Sequence, residues 1–282
     1  MDATSASRTS MMAAVGRGMH RQLHAPPWVL DDAYALPLVG PGWPDFLAIF
    51  DRVLPGHLQE LAFAFLVARS RYAEDRLEAG GFSQYVLLGA GLDSLAWRRP
   101  DLLRQVKVFE VDHPNTQAWK RERAAAIGLP EHEGHVFAPV NFETEELREA
   151  LDRAGFDWSR PALFSWLGVV MYLTRDAIAT TLRTLAGAAS GSGTVLTYRP
   201  AVEYLDAENL TFLQSISPTL AQMGEPFLDA FAPAEFEALV RDCGHIVDEN
   251  LAPEDLAARY FADRKDGLRP YSIERILSAS LP

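Results

Sequence analysis

Two glycines and two acids carry the chemistry most easily read from this chain. The stretch Gln84-Tyr-Val-Leu-Leu-Gly-Ala-Gly-Leu-Asp-Ser94 runs apolar residues straight into Gly89-Ala90-Gly91 and then turns polar. A continuously apolar run closed by glycine predicts a strand buried on both faces. Glycine at its end lets the backbone turn sharply and lets a ligand come where a side chain would block it. About 20 residues on, Val106-Lys-Val-Phe-Glu-Val111 predicts a second strand, with Glu110 and Asp112 at its carboxyl end. Strand, glycine turn, helix, strand and acid make the nucleotide half-site of a doubly wound sheet, where the acid accepts hydrogen bonds from ribose hydroxyls. Asp93 and Ser94 can cap a short helix whose amides face that ligand. His113 precedes the next helix, at the ligand's rim or as a cap.

The elements that must hold these residues follow from patterning. Further strands are predicted at 134–140, 161–166, 194–198, 245–248 and 273–278. Helices are predicted over 5–24, 59–79, 114–127, 144–154, from Thr174 and over 234–243, whereas Pro37, Pro41 and Pro44 predict loop. Asn141 and Phe142 follow the third strand, and Trp166 to Tyr172 follow the fourth, where ligands gather in open α/β sheets. Residues 200–231, crowded with Phe212, Leu213, Ile216, Leu220, Met223, Phe227 and Phe231, predict an apolar lid over an acceptor pocket.

Composition excludes several function classes. Of 282 residues, 48% are hydrophobic, so the chain can bury a large core. A net charge of −12, without a Lys/Arg cluster, argues against nucleic-acid and anionic-membrane partners. No apolar run approaches the roughly 18 residues of a membrane span. The single Cys243 rules out an internal disulfide and fits a reducing, cytoplasmic setting. His132 and His135 lack a third ligand nearby, so no metal is expected.

Leu87-Leu-Gly-Ala-Gly-Leu-Asp-Ser94 followed by Phe109-Glu-Val-Asp-His-Pro114 and Lys120 resembles the leucine carboxyl methyltransferase family. The bacterial branch, which includes polyketide O-methyltransferases, is the most similar. Ser7-Arg-Thr-Ser10, Leu30-Asp31-Asp32-Ala33, Gly224-Glu-Pro-Phe227 and Arg259 to Arg269 extend the resemblance from about residue 5 to the C-terminus. It implies S-adenosylmethionine (SAM) as cofactor and a seven-stranded, mostly parallel, Rossmann-like α/β sheet with helices on both faces. It also implies one methyltransferase domain over 1–282, with a helical cover at 1–80, a SAM-binding core at 84–198, a lid at 200–231 and the sheet's end at 232–282. Among site residues it implies Arg71, with Arg69 second, for the SAM carboxylate; Asn141 and Phe142 for adenine; and Trp166 and Leu167 beside the cofactor. Trp166-Leu-Gly-Val-Val-Met-Tyr172 is similar to a family motif with Glu in place of Leu167, and Tyr198 stands at a substrate-side position.

Methyl transfer to oxygen is the chemistry so implied, on a small, natural-product-like acceptor. A carboxylate needs no base, whereas a hydroxyl does, and Tyr198, Tyr172 and His113 are the candidates. That favours methyl-ester formation. A SAM-binding protein with altered or lost transfer is the alternative, because of Leu167. A nicotinamide oxidoreductase is a third reading, opposed by the missing third glycine, since Ser94 stands there. The oligomeric state is open, a homodimer included.

Overall fold

The computed structural model describes residues 7–54, 56–142 and 144–282. Strands β1 (Gln84–Leu88), β2 (Lys107–Asp112), β3 (His135–Pro139), β4 (Ala162–Trp166), β5 (Gly193–Tyr198), β6 (Ile246–Leu251) and β7 (Arg275–Ser280) form a sheet in the order β3-β2-β1-β4-β5-β7-β6. The first five are parallel, and β7 runs antiparallel between β5 and β6.

Alternation along the apolar strands supplies a core to each face. Val86, Phe109, Phe164 and Leu196 enter one cluster, and Leu87, Val108, Leu163 and Val195 the other. Helices α5 (Leu95–Arg98), α6 (Pro114–Ala126), α7 (Leu147–Arg153) and α8 (Arg175–Leu185) make the crossovers. The strand order reverses at β1, so a crevice opens between the tips of β1 and β4.

Before the sheet come α1 (Arg8–Leu23), α2 (Ala35–Val39), α3 (Trp43–Val53) and α4 (Gly56–Ala79). After β5 comes α9 (Ala207–Gln222), and then α10 (Pro233–Asp242) and α11 (Pro253–Tyr260) flank β6. A third apolar cluster joins Met11, Val15, Phe50 and Phe63 of the leading helices to Leu213, Ile216 and Leu220 of α9. The leading helices and the segment after β5 therefore share a core above the strand tips.

Two expectations need correction. Pro37 and Pro44 do not hold the chain in loop. Pro44 occupies the first turn of α3 and Pro37 lies in the short α2, positions where a missing N–H removes no helical bond. Thr144 does not open α7, which begins at Leu147, because the Thr144 amide closes a turn onto Asn141 O at 2.9 Å. Helix α11, over the 253–260 stretch, carried no periodic signal strong enough to predict. Among the described residues no helix is long and apolar enough to cross a membrane.

Candidate active site

The glycine turn closes around a carboxylate. Gly89 and Gly91 take φ values of 68° and 52°, where a side chain would be strained. Space excludes one as well: a Cβ on Gly89 would stand 2.5 Å from Val169 Cγ2, and one on Gly91 2.9 Å from Ser10 Cβ. At the tip of β2, Asp112 accepts hydrogen bonds from the amides of Gly91 (2.6 Å) and His113 (2.7 Å). Burial pushes its carboxyl above the usual range, and those two amides pull the other way. A carboxylate so fixed keeps lone pairs for vicinal hydroxyls. Glu110 is spent elsewhere. It is 1% exposed, with Lys120 Nζ 2.5 Å from Oε2 and His135 Nε2 2.9 Å from Oε1. The expectation that Glu110 faces the ligand is corrected by this interior ion pair.

Arg69 and Arg71 stand two residues apart on α4, roughly 200° around the helix. Arg71 points to solvent and donates to Asp75 at 2.6 Å. Arg69 is 8% exposed, and its Nη1 lies 3.0 and 2.8 Å from the two oxygens of Glu274. Its Nη2 lies 2.8 Å from where a Cβ of Gly168 would be, so the guanidinium rests on the turn after β4. Arg71, the first candidate, therefore faces solvent, whereas Arg69, the second, lies against the turn after β4. The Gly168 amide donates to Thr197 Oγ1 at 2.7 Å, tying the ends of β4 and β5.

Tyr172 stacks on Phe227 with ring centroids 5.6 Å apart, and its hydroxyl is hydrogen-bonded to Thr9. Burial, then the charges of Glu274 and Glu225, push its phenol far above the ordinary range, so it holds its proton at neutral pH. Glu225, in the segment after α9, accepts from Ser7 Oγ at 3.1 Å, from the Arg8 amide at 3.2 Å and from the Thr9 hydroxyl. These groups form the N-terminus of α1, which Ser7 caps. Helix α1 is thus pinned over the glycine turn.

Comparison with known proteins identifies the lineage. The family model for leucine carboxyl methyltransferases matches residues 10–186. The chain belongs to the leucine carboxyl methyltransferase family. YktD of Bacillus subtilis, which carries the name of a SAM-dependent methyltransferase, is 33% identical over 212 residues, or 73% of this chain and 68% of the relative. A Mycolicibacterium vanbaalenii protein named for the same activity is 29% identical over 262 residues, or 87% of this chain and 81% of the relative. The fold is similar to that of a methyltransferase from Thermobifida fusca, with a TM-score of 0.64 at 17% identity over 100% of this chain and 96% of that one. The chain is a SAM-dependent methyltransferase.

The structure disperses several other expected residues of this methyltransferase. Tyr198, 0% exposed, stacks on Phe236 at 4.1 Å and donates to Asn250 Oδ1 at 3.0 Å. It lies in the apolar cluster with Trp166, on the opposite sheet face from Leu87 and Ala68, so its acceptor-side role is corrected to packing. His113 Nδ1 accepts the Asn115 amide at 3.2 Å and caps α6, while Asp93, one residue ahead of the α5 N-cap Ser94, accepts the Leu95 amide at 2.7 Å. Leu167 packs at the edge of the cluster on the Arg69 side of the sheet. Asn141 and Phe142 stay at the strand tips, beyond β3 and next to Val140, whose amide donates to Asp112 O at 3.0 Å. The Asn141 amide N–H donates to Glu145 at 3.0 Å, and the Phe142 ring is 54% exposed. The sequence singles out neither Thr197 nor Glu274, and it offers Ser10 and Glu225 only within stretches of family resemblance. Glu225 meets α1 across more than two hundred residues of sequence, and no local pattern signals that.

Proposed function

We propose that the enzyme transfers the SAM methyl group to an oxygen of a small, natural-product-like acceptor. The observation that carries the cofactor half is the Asp112 carboxylate, held by the Gly91 and His113 amides at the tips of β1 and β2. In this reading Asp112 holds the ribose hydroxyls and the Gly89-Ala90-Gly91 backbone lies against the cofactor. Arg69 pairs with the methionine carboxylate as a planar fork. Asn141 and Phe142 flank the adenine. The bare backbone at Gly89 and Gly91, where a Cβ would be both strained and crowded, supports the fit.

Bound SAM supplies a sulfonium methyl carbon open to in-line displacement. The protein's part is to hold the oxygen aligned and dry at roughly 3 Å, and such positioning can lower a barrier by about 7–11 kcal/mol. Helix α1 and the Glu225 segment over the strand tips support the exclusion of water. Among the expected bases, His113 caps a helix, Tyr198 packs in the core, and Tyr172 holds its proton. The family's name favours a carboxylate, which needs none. One observation favours a hydroxyl instead: the carboxylate of Glu274 stands beside Arg69 at the end of β4 and could take a proton.

Calorimetric titration with SAM and transfer of its labelled methyl group test the reading. Arg69→Ala and Asp112→Asn are expected to weaken SAM binding while Arg71→Ala does not. Binding by the wild type without transfer to any oxygen acceptor would favour lost activity, the reading attached to Leu167.

A further inference from the structure

We infer that a cavity among the leading helices is a second binding site, and that it takes a small organic carboxylate with an apolar body. The inference goes beyond the methyl-transfer reading and does not rest on it. The cavity, of about 360 Å³, lies between α1, the turn from α2 to α3, and α6. That is more than twice the void of about 150 Å³ that accommodates benzene, and it falls in the size range of small-molecule sites.

Apolar side chains make most of its wall, with Met11, Val39, Phe46 and Trp119 among them. The charged residues that line it are two arginines, Arg8 and Arg123, and no acid joins them. Elsewhere in the chain, Arg17, Arg69 and Arg98 each meet a carboxylate. The guanidinium groups of Arg8 and Arg123 meet none among the described residues. Arg8 gives Glu225 its backbone amide, and Arg123 Nη2 donates to Pro37 O at 3.2 Å. Arg123 is also held in place, because Gly40 takes φ 87° and a Cβ there would stand 2.8 Å from Arg123 Cζ. In a chain of net charge −12, two cations without counter-ions beside one apolar cavity select charge and shape together. A carboxylate matches a guanidinium as a planar fork, and the apolar side chains receive the rest of the molecule. A neutral occupant would leave both cations unpaired, and an ammonium would meet like charge.

The site is separate from the cofactor's. Neither the glycine turn nor Asp112, Arg69 or Tyr172 lines it. Arg8 and Ser10 stand roughly 200° apart around α1, so one helix turns Ser10 toward Gly91 and Arg8 toward the cavity. Trp119 and Arg123, a helical turn apart, share one face of α6, the helix that follows Asp112. An occupant therefore bridges α1 and α6 and leaves SAM bound.

The test is calorimetry on the purified enzyme, with and without saturating S-adenosylhomocysteine. Octanoate and octylammonium share a chain, and 2-naphthoate and 2-naphthol share a ring, so each pair varies only the head group. At least one acid is expected to bind, about tenfold or more tightly than its partner in the pair, whether or not S-adenosylhomocysteine is present. Arg8→Gln and Arg123→Gln are each expected to weaken that acid by at least about fivefold. Arg8 is exposed, so Arg8→Gln decides if Arg123→Gln does not fold. Binding of neither acid, no preference for the acid in either pair, displacement by S-adenosylhomocysteine, or an affinity unmoved by either variant would overturn the site.

Discussion

At the scale of single residues, helical phase separates two arginines that composition cannot. Arg69→Ala is expected to cost about 2 kcal/mol of SAM binding, the worth of a charge-assisted hydrogen bond. Arg71→Ala, removing an exposed pair with Asp75, is expected to change it by under about 0.5 kcal/mol. Calorimetry on the two variants reads the difference directly. The residue type was legible, because a carboxylate asks for a guanidinium, but the phase of α4 was not. That helix buries side chains nearly all round, so its sequence marks no single inward face. The acid pair behaves likewise. Glu110 and Asp112, two residues apart, share one face of β2, and only the buried Lys120 and His135 tie Glu110 into the interior.

His20 sets a pH limit. Burial, then the charges of His24 and Arg264, push its pKa down from 6.5 to about 4, and neither ring nitrogen has a partner among the described residues. A depressed folded-state value means that the unfolded chain binds the proton first. Stability is therefore full above about pH 6.5 and falls as pH drops toward 4, by up to about 3 kcal/mol. Thermal melts across that window are expected to show the decline in the wild type and a shallower one in His20→Phe.

At the scale of elements, the strands were the easiest to read. β1 and β4 are short apolar runs bounded by turn residues, and burial on both faces leaves no other way to form them. Helices opened by proline were harder, since the residue that ends one helix can begin another. The resemblance implied a helical cover, but what holds α1 in place was illegible, because Ser7 signals a cap and not the distant carboxylate that completes it. Glu225 stands where the helix dipole and free amides favour an anion. Glu225→Ala is expected to speed SAM dissociation several-fold and to raise amide hydrogen exchange over residues 8–12, with little change in strand protection. Unchanged exchange there would mean that apolar packing alone holds α1.

At the scale of the whole molecule, a buried ionic chain binds the leading helices to the sheet. Arg17 donates to Asp32 at 2.8 Å and to Leu92 O at 2.7 Å, and Ser94 donates to Asp32 at 2.6 Å. Arg98 donates to Ser94 at 2.8 Å and to Glu74 at 2.6 Å. Burial alone would raise the Asp32 carboxyl, but Arg17 and Arg98 hold it below the usual range. Asp32→Ala leaves the buried Arg17 guanidinium without a carboxylate and is expected to cost about 3–5 kcal/mol in denaturant unfolding. The sequence offered Leu30-Asp31-Asp32-Ala33 as a resemblance without a reason, and this network supplies one. The last two strands were legible, but chain order hid how they pair, since antiparallel insertion leaves no mark on the strand that undergoes it.

Insertion of β7 between β5 and β6 carries a consequence for biosynthesis. Until Arg275–Ser280 clears the ribosome, β5 presents an open edge and β6 has no neighbour to pair with. The nascent protein must therefore wait with sticky, unfinished β-structure, the situation in which chaperones bind and aggregates start.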